Sequence, residues 1–421
     1  LQKKLLELAT HDTKYMYNPH NDMRNLLIQY LDKLIPYLNQ SHLVVAVSGG
    51  ADSMALCLLL NDWIKNKHFK LTAITVDHQL RPDSSKEANQ VHQWLSNYGI
   101  HHETLVWSHA PISTNIQEHA REARYKLLID YCKTHHIQTL FLAHHLHDQW
   151  ETFLMRLTHG SGLKGLGAML PMVTRQEINV FRPFLTVHPQ QLKDYLLEKN
   201  QGWIEDPSNT LETYERIRWR KQLTELSKAG LTPQIISKGC EKLHAENEAL
   251  DWCVTNWVQD NTVFNPQLKF IISSIKLIHV PTALMKRIAL RIVSKVRGIN
   301  ITSQDVRHNM DALYQKLLAS PFKAFTFGGC YWMKYQENLY VMREWDKCPT
   351  DVISSASHIY DHRFSLTNLP CGETLTSIGK KHWPQVKSSF QSFCLPYQIF
   401  LSLPIILKNK KVIWWLGKEP E

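Results

Sequence analysis

The sequence predicts an α/β fold, a doubly wound parallel sheet followed by a helical domain and a small α+β C-terminal domain. Three observations carry that prediction. Residues 43–56, Leu-Val-Val-Ala-Val-Ser-Gly-Gly-Ala-Asp-Ser-Met-Ala-Leu, pass from a β-branched apolar run through a glycine-containing turn into a helical pattern. Strand-like and helix-like segments then alternate as far as Ala143, the pattern of parallel strands with crossover helices. The polar stretches Ser48–Ser53, Asp77–His78 and His144–His145 all fall at strand ends, where sheets of this kind bind ligands.

The elements follow in order. Leu26, Leu27, Tyr30, Leu31, Leu34 and Leu38 at helical spacing predict an amphipathic lead-in helix over 23–38. After the strand–loop–helix unit, a strand is expected over 71–76, a helix over 84–98, a strand over 102–107, a helix over 116–135 and a strand over 139–143. From Pro207 the alternation stops, and Ile236, Cys240, Leu243, Leu250, Val254 and Trp257 recur at helical intervals. Helices are expected over 283–296 and 303–318, then a hairpin with Phe325–Phe327 and Trp332–Lys334 flanking Gly328-Gly329. Further on, Trp383 and Phe390 fit a helix, and 403–407 and 412–416 read as strands around Lys408–Lys411. The expected domain limits are 1–225, 226–345 (mainly helical) and 346–421.

A chain of 421 residues has material for more than one core, and its hydrophobic fraction of 43% is ordinary for a globular protein. No apolar run approaches a membrane span, and the first twenty residues mix Lys, Glu, His, Asp and Asn without a signal-peptide core. A cytoplasmic protein with no membrane partner is therefore expected. The eight cysteines are dispersed without a Cys-x-x-Cys pair, which argues for reduced, structural thiols. A net charge of +10 suits a polyanionic partner, although it also fits a merely basic enzyme.

Ser48-Gly49-Gly50-Ala51-Asp52-Ser53 has the makings of a phosphate cradle. Two glycines let the backbone turn and approach a ligand, two serines add hydroxyl donors, and the following helix points its positive end at the loop. Asp52 would repel a phosphate unless a divalent cation lay between them, which makes it a candidate magnesium ligand. The ordinary alternative is a strand-to-helix turn with a polar N-cap. The Gly-x-x-x-x-Gly-Lys-Ser/Thr pattern is absent, so a Walker-type kinase or GTPase is not indicated.

Ala143-His144-His145-Leu146-His147-Asp148-Gln149-Trp150-Glu151-Thr152 leaves one strand and enters a helix. If that helix begins near His144, then His144, Asp148 and Glu151 share a face and could position a metal or an incoming amine. The alternatives are a solvated helix start carrying acidic residues, or zinc on His144 and His147, for which no second ligand pair is evident. Residues 160–165 fit Gly-x-Gly-x-x-Gly but follow a helix, so a loop closing over bound nucleic acid or nucleotide is expected there and a dinucleotide site is not. Arg287, Arg291 and Lys295 form a stripe that could track phosphates, against the commoner reading of a solvated face. Trp414-Trp415 is read as core, with base stacking as the alternative.

The hexamer at 48–53 resembles the PP-loop of the ATP pyrophosphatases, a family with an adenine nucleotide alpha hydrolase-like fold. The block at 143–152 resembles the Ala-x-His-His-x-Asp-Asp-Gln-x-Glu-Thr signature of the tRNA(Ile)-lysidine synthetases. Val76–Pro82, Asn115-Ile116 with Ala120–Tyr125, Gly160–Leu166, Arg182–Leu185 and Glu205–Asn209 with Arg216 and Arg220 match that family's further motifs in order. The sequence departs at Gln79 (glycine in the family), His147 (aspartate), His159 (often arginine) and Ile217 (asparagine), and near Phe400 between Pro396 and Pro404.

The resemblance implies a ligase that uses ATP and Mg2+ to adenylate the wobble cytidine of a tRNA(Ile) with a CAU anticodon, then joins free L-lysine to carbon 2. It implies a monomer or homodimer. Ser48, Gly49, Gly50, Ala51, Asp52 and Ser53 would hold phosphates and magnesium, with Asp77, His78, Arg121 and Arg124 around the nucleotide. Asp52, His144, Asp148 and Glu151 would be catalytic, and Arg216, Arg220, Arg287, Arg291 and Lys295 would meet tRNA. The rivals are a tRNA thiolase, disfavoured by the cysteine spacing, and a catalytically silent tRNA-binding protein.

Overall fold

The computed structural model of the chain describes residues 23–38, 40–81, 83–109, 115–205, 215–265, 270–301, 306, 310–335, 337–343, 373–377, 381, 384–386, 404–408 and 411–415. Trp383, Phe390, Pro396, Phe400 and Asp206–Asn209 lie outside these, while 384–386 beside Trp383 are helical. The chain divides into two compact units, Leu1–Asn247 and Glu248–Glu421.

The first unit is built on a six-stranded sheet. Its strands are β1 (His42–Ala46), β2 (Lys70–Asp77), β3 (His101–Val106), β4 (Thr139–Phe141), β5 (Met172–Arg175) and β6 (Ile178–Phe181), in the order β3-β2-β1-β4-β6-β5. All pairings are parallel except β5 with β6. The β-branched run of β1 is buried on both faces, as central parallel strands must be. Leu43 and Val45 pack with the helices α1 (Met23–Leu34) and α2 (Ala51–Ile64), while Val44 packs with α4 (Ile116–Thr134). Between β2 and β3 lies α3 (Ser84–Asn97). Successive strands run outward from β1 to β3, and the chain then returns to place β4 on the other side of β1. The carboxyl ends of β1 and β4 therefore flank a topological switch point, the crevice in which such sheets bind ligands.

Beyond the sheet come α5 (Leu146–Thr158), the single turn α6 (Leu163–Leu166), α7 (Pro189–Glu198), α8 (Glu215–Lys228) and α9 (Pro233–Asn261). The segment at 160–166, where a closing loop is expected, contains the turn α6 and is anchored at its far end. Arg156 Nη1 donates to the carbonyls of Gly165 and Ala168, each at 2.7 Å, and a Cβ at Gly167 would stand 2.7 Å from the His244 ring.

The second unit has the helices expected over 226–345 and adds to them a sheet of which only the hairpin was expected. A five-stranded antiparallel sheet runs in the order β7-β8-β11-β10-β9, from β7 (Thr262–Asn265), β8 (Phe270–Ser274), β9 (Phe325–Phe327), β10 (Cys330–Tyr335) and β11 (Asn338–Arg343). The helices α10 (Thr282–Arg297) and α11 (Met310–Leu318) share a core with it through Ile288, Ile292, Val293, Leu313 and Trp332. The hairpin at Gly328-Gly329 is present, whereas β7 and β8 are short and β8 finds its partner β11 more than sixty residues later. Local periodicity cannot register such a pairing. Strands β12 (Glu373–Ser377), β13 (Pro404–Lys408) and β14 (Lys411–Trp415) form a separate antiparallel sheet. Among the described residues no helix is long and apolar enough to cross a membrane.

Candidate active site

The loop after β1 is shaped by its two glycines. Gly49 has φ +86°, and a Cβ there would lie 2.7 Å from Ile204 Cδ1 and 2.8 Å from Val91 Cγ2, so a larger residue meets both backbone strain and crowding. Gly50 is the N-cap of α2. Ser53 Oγ accepts from the Ser48 N–H at 3.1 Å and donates to the Gly50 carbonyl at 3.0 Å, and Ser48 Oγ lies 3.2 Å from it. The serines therefore hold the loop's own shape. Ala51 and Asp52 open the helix, where its positive end faces the crevice.

Across the switch point, the chain leaving β4 does not begin its helix at His144. The first helical residue is Leu146 and the N-cap is His145, so His144, Asp148 and Glu151 do not share one helix face. The expected single-face arrangement is corrected on that point: His145 is an extended N-cap, so His144 precedes the helix, although its ring still bears electrostatically on Asp148. His145 Nδ1 accepts from the N–H groups of His147 and Asp148 at 3.1 and 3.3 Å, while Asp148 Oδ2 accepts from the His145 N–H at 2.9 Å. Because Nδ1 is occupied as an acceptor, the neutral ring carries its proton on Nε2. That nitrogen faces Asp52 Oδ2 at 3.5 Å. His145 thus ties the two halves of the crevice together. The sequence marks the His144-His145 pair at a strand end but assigns the catalytic role to His144, since nothing in an adjacent His-His pair says which ring faces the loop.

The three acids differ in environment. Burial pushes the Asp52 carboxyl up, His145 opposes this, and Asp148 adds to it. Asp148 is held well below the usual range: burial works against its ionisation, but His145, His144 and the His145 N–H outweigh it. Glu151 is 0% exposed, its Oε1 accepting from Arg220 Nε at 2.8 Å and its Oε2 lacking a hydrogen-bond partner. Burial and the neighbouring Asp148 raise its pKa despite the Arg220 ion pair. His144 is buried with Nδ1 unpartnered, and burial holds it neutral against the pull of Asp148. Among the described residues no group of three or more His, Cys, Asp or Glu side chains could hold a metal ion.

At the end of β2, Asp77 accepts from the Gln79 N–H at 2.9 Å and from Ser85 Oγ at 2.7 Å, which with Ser84 lowers its pKa against burial. Its oxygens shape the turn, in which Gln79 takes φ +52°. His78 keeps a buried Nδ1 without a partner. Arg121, Arg124 and Arg175 lie over the ring of buried Tyr125, with guanidinium carbons 5.4, 5.7 and 4.4 Å from its centroid. Arg182 donates to the Tyr125 hydroxyl at 3.4 Å. Sequence reasoning missed Arg175, and it marked Tyr125 and Arg182 as parts of family motifs without giving either a role. Arg216 bears electrostatically on Arg121, Arg124 and Asp148. Such a concentration of guanidinium groups is suited to an anion of several charges.

In the second unit the stripe on α10 is partly occupied. Arg287 pairs with Asp251 at 3.0 Å, Lys295 stands 5.1 Å over the Phe264 ring, and Arg291 is exposed.

Residues 23–227 match the PP-loop domain family. The tRNA(Ile)-lysidine synthase of Wolbachia sp. subsp. Brugia malayi (strain TRS) is 31% identical to this chain over 407 residues, spanning 94% of this chain and 92% of its own. That of Ruegeria pomeroyi (strain ATCC 700808 / DSM 15171 / DSS-3) is 33% identical over 323 residues, 76% and 75% of the two chains. Among solved structures, a U34-tRNA thiolase from Methanococcus maripaludis aligns at 18% identity over 53% of this chain and 80% of its own, with a TM-score of 0.44.

Proposed function

Since this chain belongs to the tRNA(Ile)-lysidine synthase family, it is an ATP-dependent ligase that forms lysidine on tRNA(Ile), and we propose how its residues divide that work. The observation that carries the proposal is the meeting of the loop after β1 with the His144–Glu151 segment after β4, joined by His145 facing Asp52 at 3.5 Å.

The ring carbon to be modified is part of an amide-like system, a poor electrophile. Transfer of AMP from ATP to the carbonyl oxygen of the CAU wobble cytidine releases pyrophosphate and supplies a good leaving group. The ε-amine of free L-lysine then displaces AMP. Backbone N–H groups at Gly49, Gly50 and Ala51 and the start of α2 take the triphosphate, with Arg121, Arg124 and Arg216 supplying countercharge for phosphates. His78 lies beside the adenosine. Asp77, its oxygens already engaged by the protein, shapes that edge of the pocket.

Asp52 is fit to hold Mg2+ against phosphates. Burial and Asp148 disfavour its bare charge, a penalty that a cation relieves, and a magnesium held by one carboxylate plus phosphates needs no larger protein cage. When bound, that ion neutralises phosphate charge. Glu151 receives lysine. Its unpartnered Oε2 accepts from the ε-ammonium, and its raised pKa suits removal of the proton that keeps lysine from attacking. Asp148, held ionised, fixes His145 and adds negative charge beside the amine. Neutral His144 offers Nδ1 toward the base or sugar.

Arg291 and Lys295 meet tRNA phosphates, as does the free part of Arg220. The test is mass spectrometry of nucleosides after incubation with ATP, lysine and unmodified tRNA(Ile). Lysidine is the expected product, and its absence with adenylation intact would remove lysine from the scheme.

A further inference from the structure

The PP-loop is held from beneath by groups that belong neither to the loop nor to the acids across the crevice. Val47 is the last residue before the loop. Its N–H donates to the Ile74 carbonyl at 2.8 Å, and its carbonyl accepts from Thr75 Oγ1 at 2.8 Å. The other end of the same peptide unit, the Ser48 N–H, donates to Ser53 Oγ at 3.1 Å. Both ends of the Val47–Ser48 peptide plane are thereby fixed, immediately before the peptides that carry the Gly49 and Gly50 amides.

The chain of contacts continues outward. Thr75 spends its single hydroxyl proton on Val47, so toward His102 Nε2, 2.8 Å away, it must accept. His102 therefore carries its proton on Nε2 and presents a bare Nδ1 to His92 Nδ1 at 3.2 Å, which must donate. Donor directions are thus fixed along His92, His102, Thr75 and the Val47 carbonyl. Burial, with the neighbouring His92 and His101, pushes His102 down to about 4 against the pull of Glu103, in keeping with the neutral ring that this ordering requires. The helix that supplies His92 also supplies Val91, whose Cγ2 would meet a Cβ at Gly49 at 2.8 Å. Strand β2, strand β3 and helix α3 all converge on one peptide.

We propose that Thr75 and His102, with His92 behind them, are positioning residues for the PP-loop: they set the Val47–Ser48 peptide plane and through it the affinity for the triphosphate of ATP. This rests on the ATP-dependent activity above. Neither residue touches the reacting atoms. Their effect is therefore specific to the nucleotide and does not extend to lysine or tRNA.

The experiment uses the full chain, measuring ATP binding by calorimetry separately from lysidine formation, with a melting curve for each variant. Thr75→Val removes one hydroxyl at nearly constant volume and is expected to weaken ATP binding and raise the KM for ATP about tenfold, the scale of one buried hydrogen bond. The KM values for tRNA and lysine stay at wild-type values. Thr75→Ser restores ATP affinity. His102→Leu has a smaller effect in the same direction, and Thr75→Val with His102→Leu is no worse than Thr75→Val alone, because both lie on one chain of bonds. If Thr75→Val does not fold, His102→Leu carries the test. Wild-type ATP affinity in whichever variant folds, failure of serine to restore it, or a parallel rise in the KM for tRNA overturns the proposal. Because ATP binding is read directly, a wild-type chain that bound ATP and formed no lysidine would overturn the activity and leave this result readable.

Discussion

Glu151→Gln separates the chemistry of the lysine step from the architecture around it. The wild-type carboxylate is wholly buried, with one oxygen 2.8 Å from Arg220 Nε and the other unpartnered. Glutamine keeps the volume and an oxygen that can still accept from Arg220, but it cannot take a proton from the ε-ammonium. Loss of a positioned base costs about 10²- to 10⁴-fold in rate. The stability change is small. The Arg220 side chain is 41% exposed, so it loses only a screened partner, worth about 1 kcal/mol or less. Removing a buried charge whose pKa the fold has raised offsets that loss.

The sign of the pH effect follows. A raised folded pKa means that the protonated form stabilises the fold, a contribution fully present below the ordinary glutamate value of about 4.3 and lost as pH rises through the folded value. The variant should therefore gain stability relative to wild type between acid and neutral pH. The assay is single turnover: adenylated tRNA(Ile) is formed without lysine, lysine is added, and lysidine is followed by mass spectrometry beside parallel melting curves. Adenylated tRNA should accumulate in the variant, and the acid limb of the wild-type rate profile should flatten. A Glu151→Gln protein that consumes the adenylate at the wild-type rate would refute the role given to this carboxylate.

Four further outcomes are expected. Asp52→Asn should fold normally and lose about two orders of magnitude in pyrophosphate release at saturating ATP and magnesium, the scale of one key electrostatic group; near-normal release would remove it from the site. Gln79→Gly should raise stability by about 1 kcal/mol, since a side chain at φ +52° carries a penalty that glycine does not, and a melting temperature at or below wild type would contradict this. Charge reversal at Arg291 and Lys295 should weaken tRNA binding and flatten its salt dependence by roughly 0.7 to 0.9 units of slope per lost phosphate contact, with ATP binding unchanged. Reversal at Arg287 should add little tRNA effect, because its charge already meets Asp251; unchanged binding after the double reversal would return the stripe to a solvated face.

The parallel sheet was legible because its strands are β-branched runs punctuated by polar turns, and local pattern is enough to find such units. The helix starts at Ser84 and Ile116 fall at the expected positions. What failed were features that depend on distant partners. Strands β5 and β6 turn through Gln176-Glu177, both at positive φ, where glycine or asparagine would have signalled a hairpin. Arg220 reaches Glu151 across 69 positions, and Arg182 reaches Tyr125 across 57. The glycine expected at position 79 has its reason in the left-handed turn that Gln79 is made to adopt. The histidine pair at 144 and 145 was visible as a motif, but its division of labour was not, since it depends on which ring caps the helix.

The Ile204 N–H donates to the Gly49 carbonyl at 2.9 Å. This single amide proton, on a segment more than 150 residues from the loop, is withheld from solvent for as long as Gly49 keeps its place. Its exchange with deuterium becomes a clock for the opening of the PP-loop, readable in the native protein without labelling the loop itself. Ligands that seat the loop should slow that clock, and anything that prises Gly49 loose should quicken it.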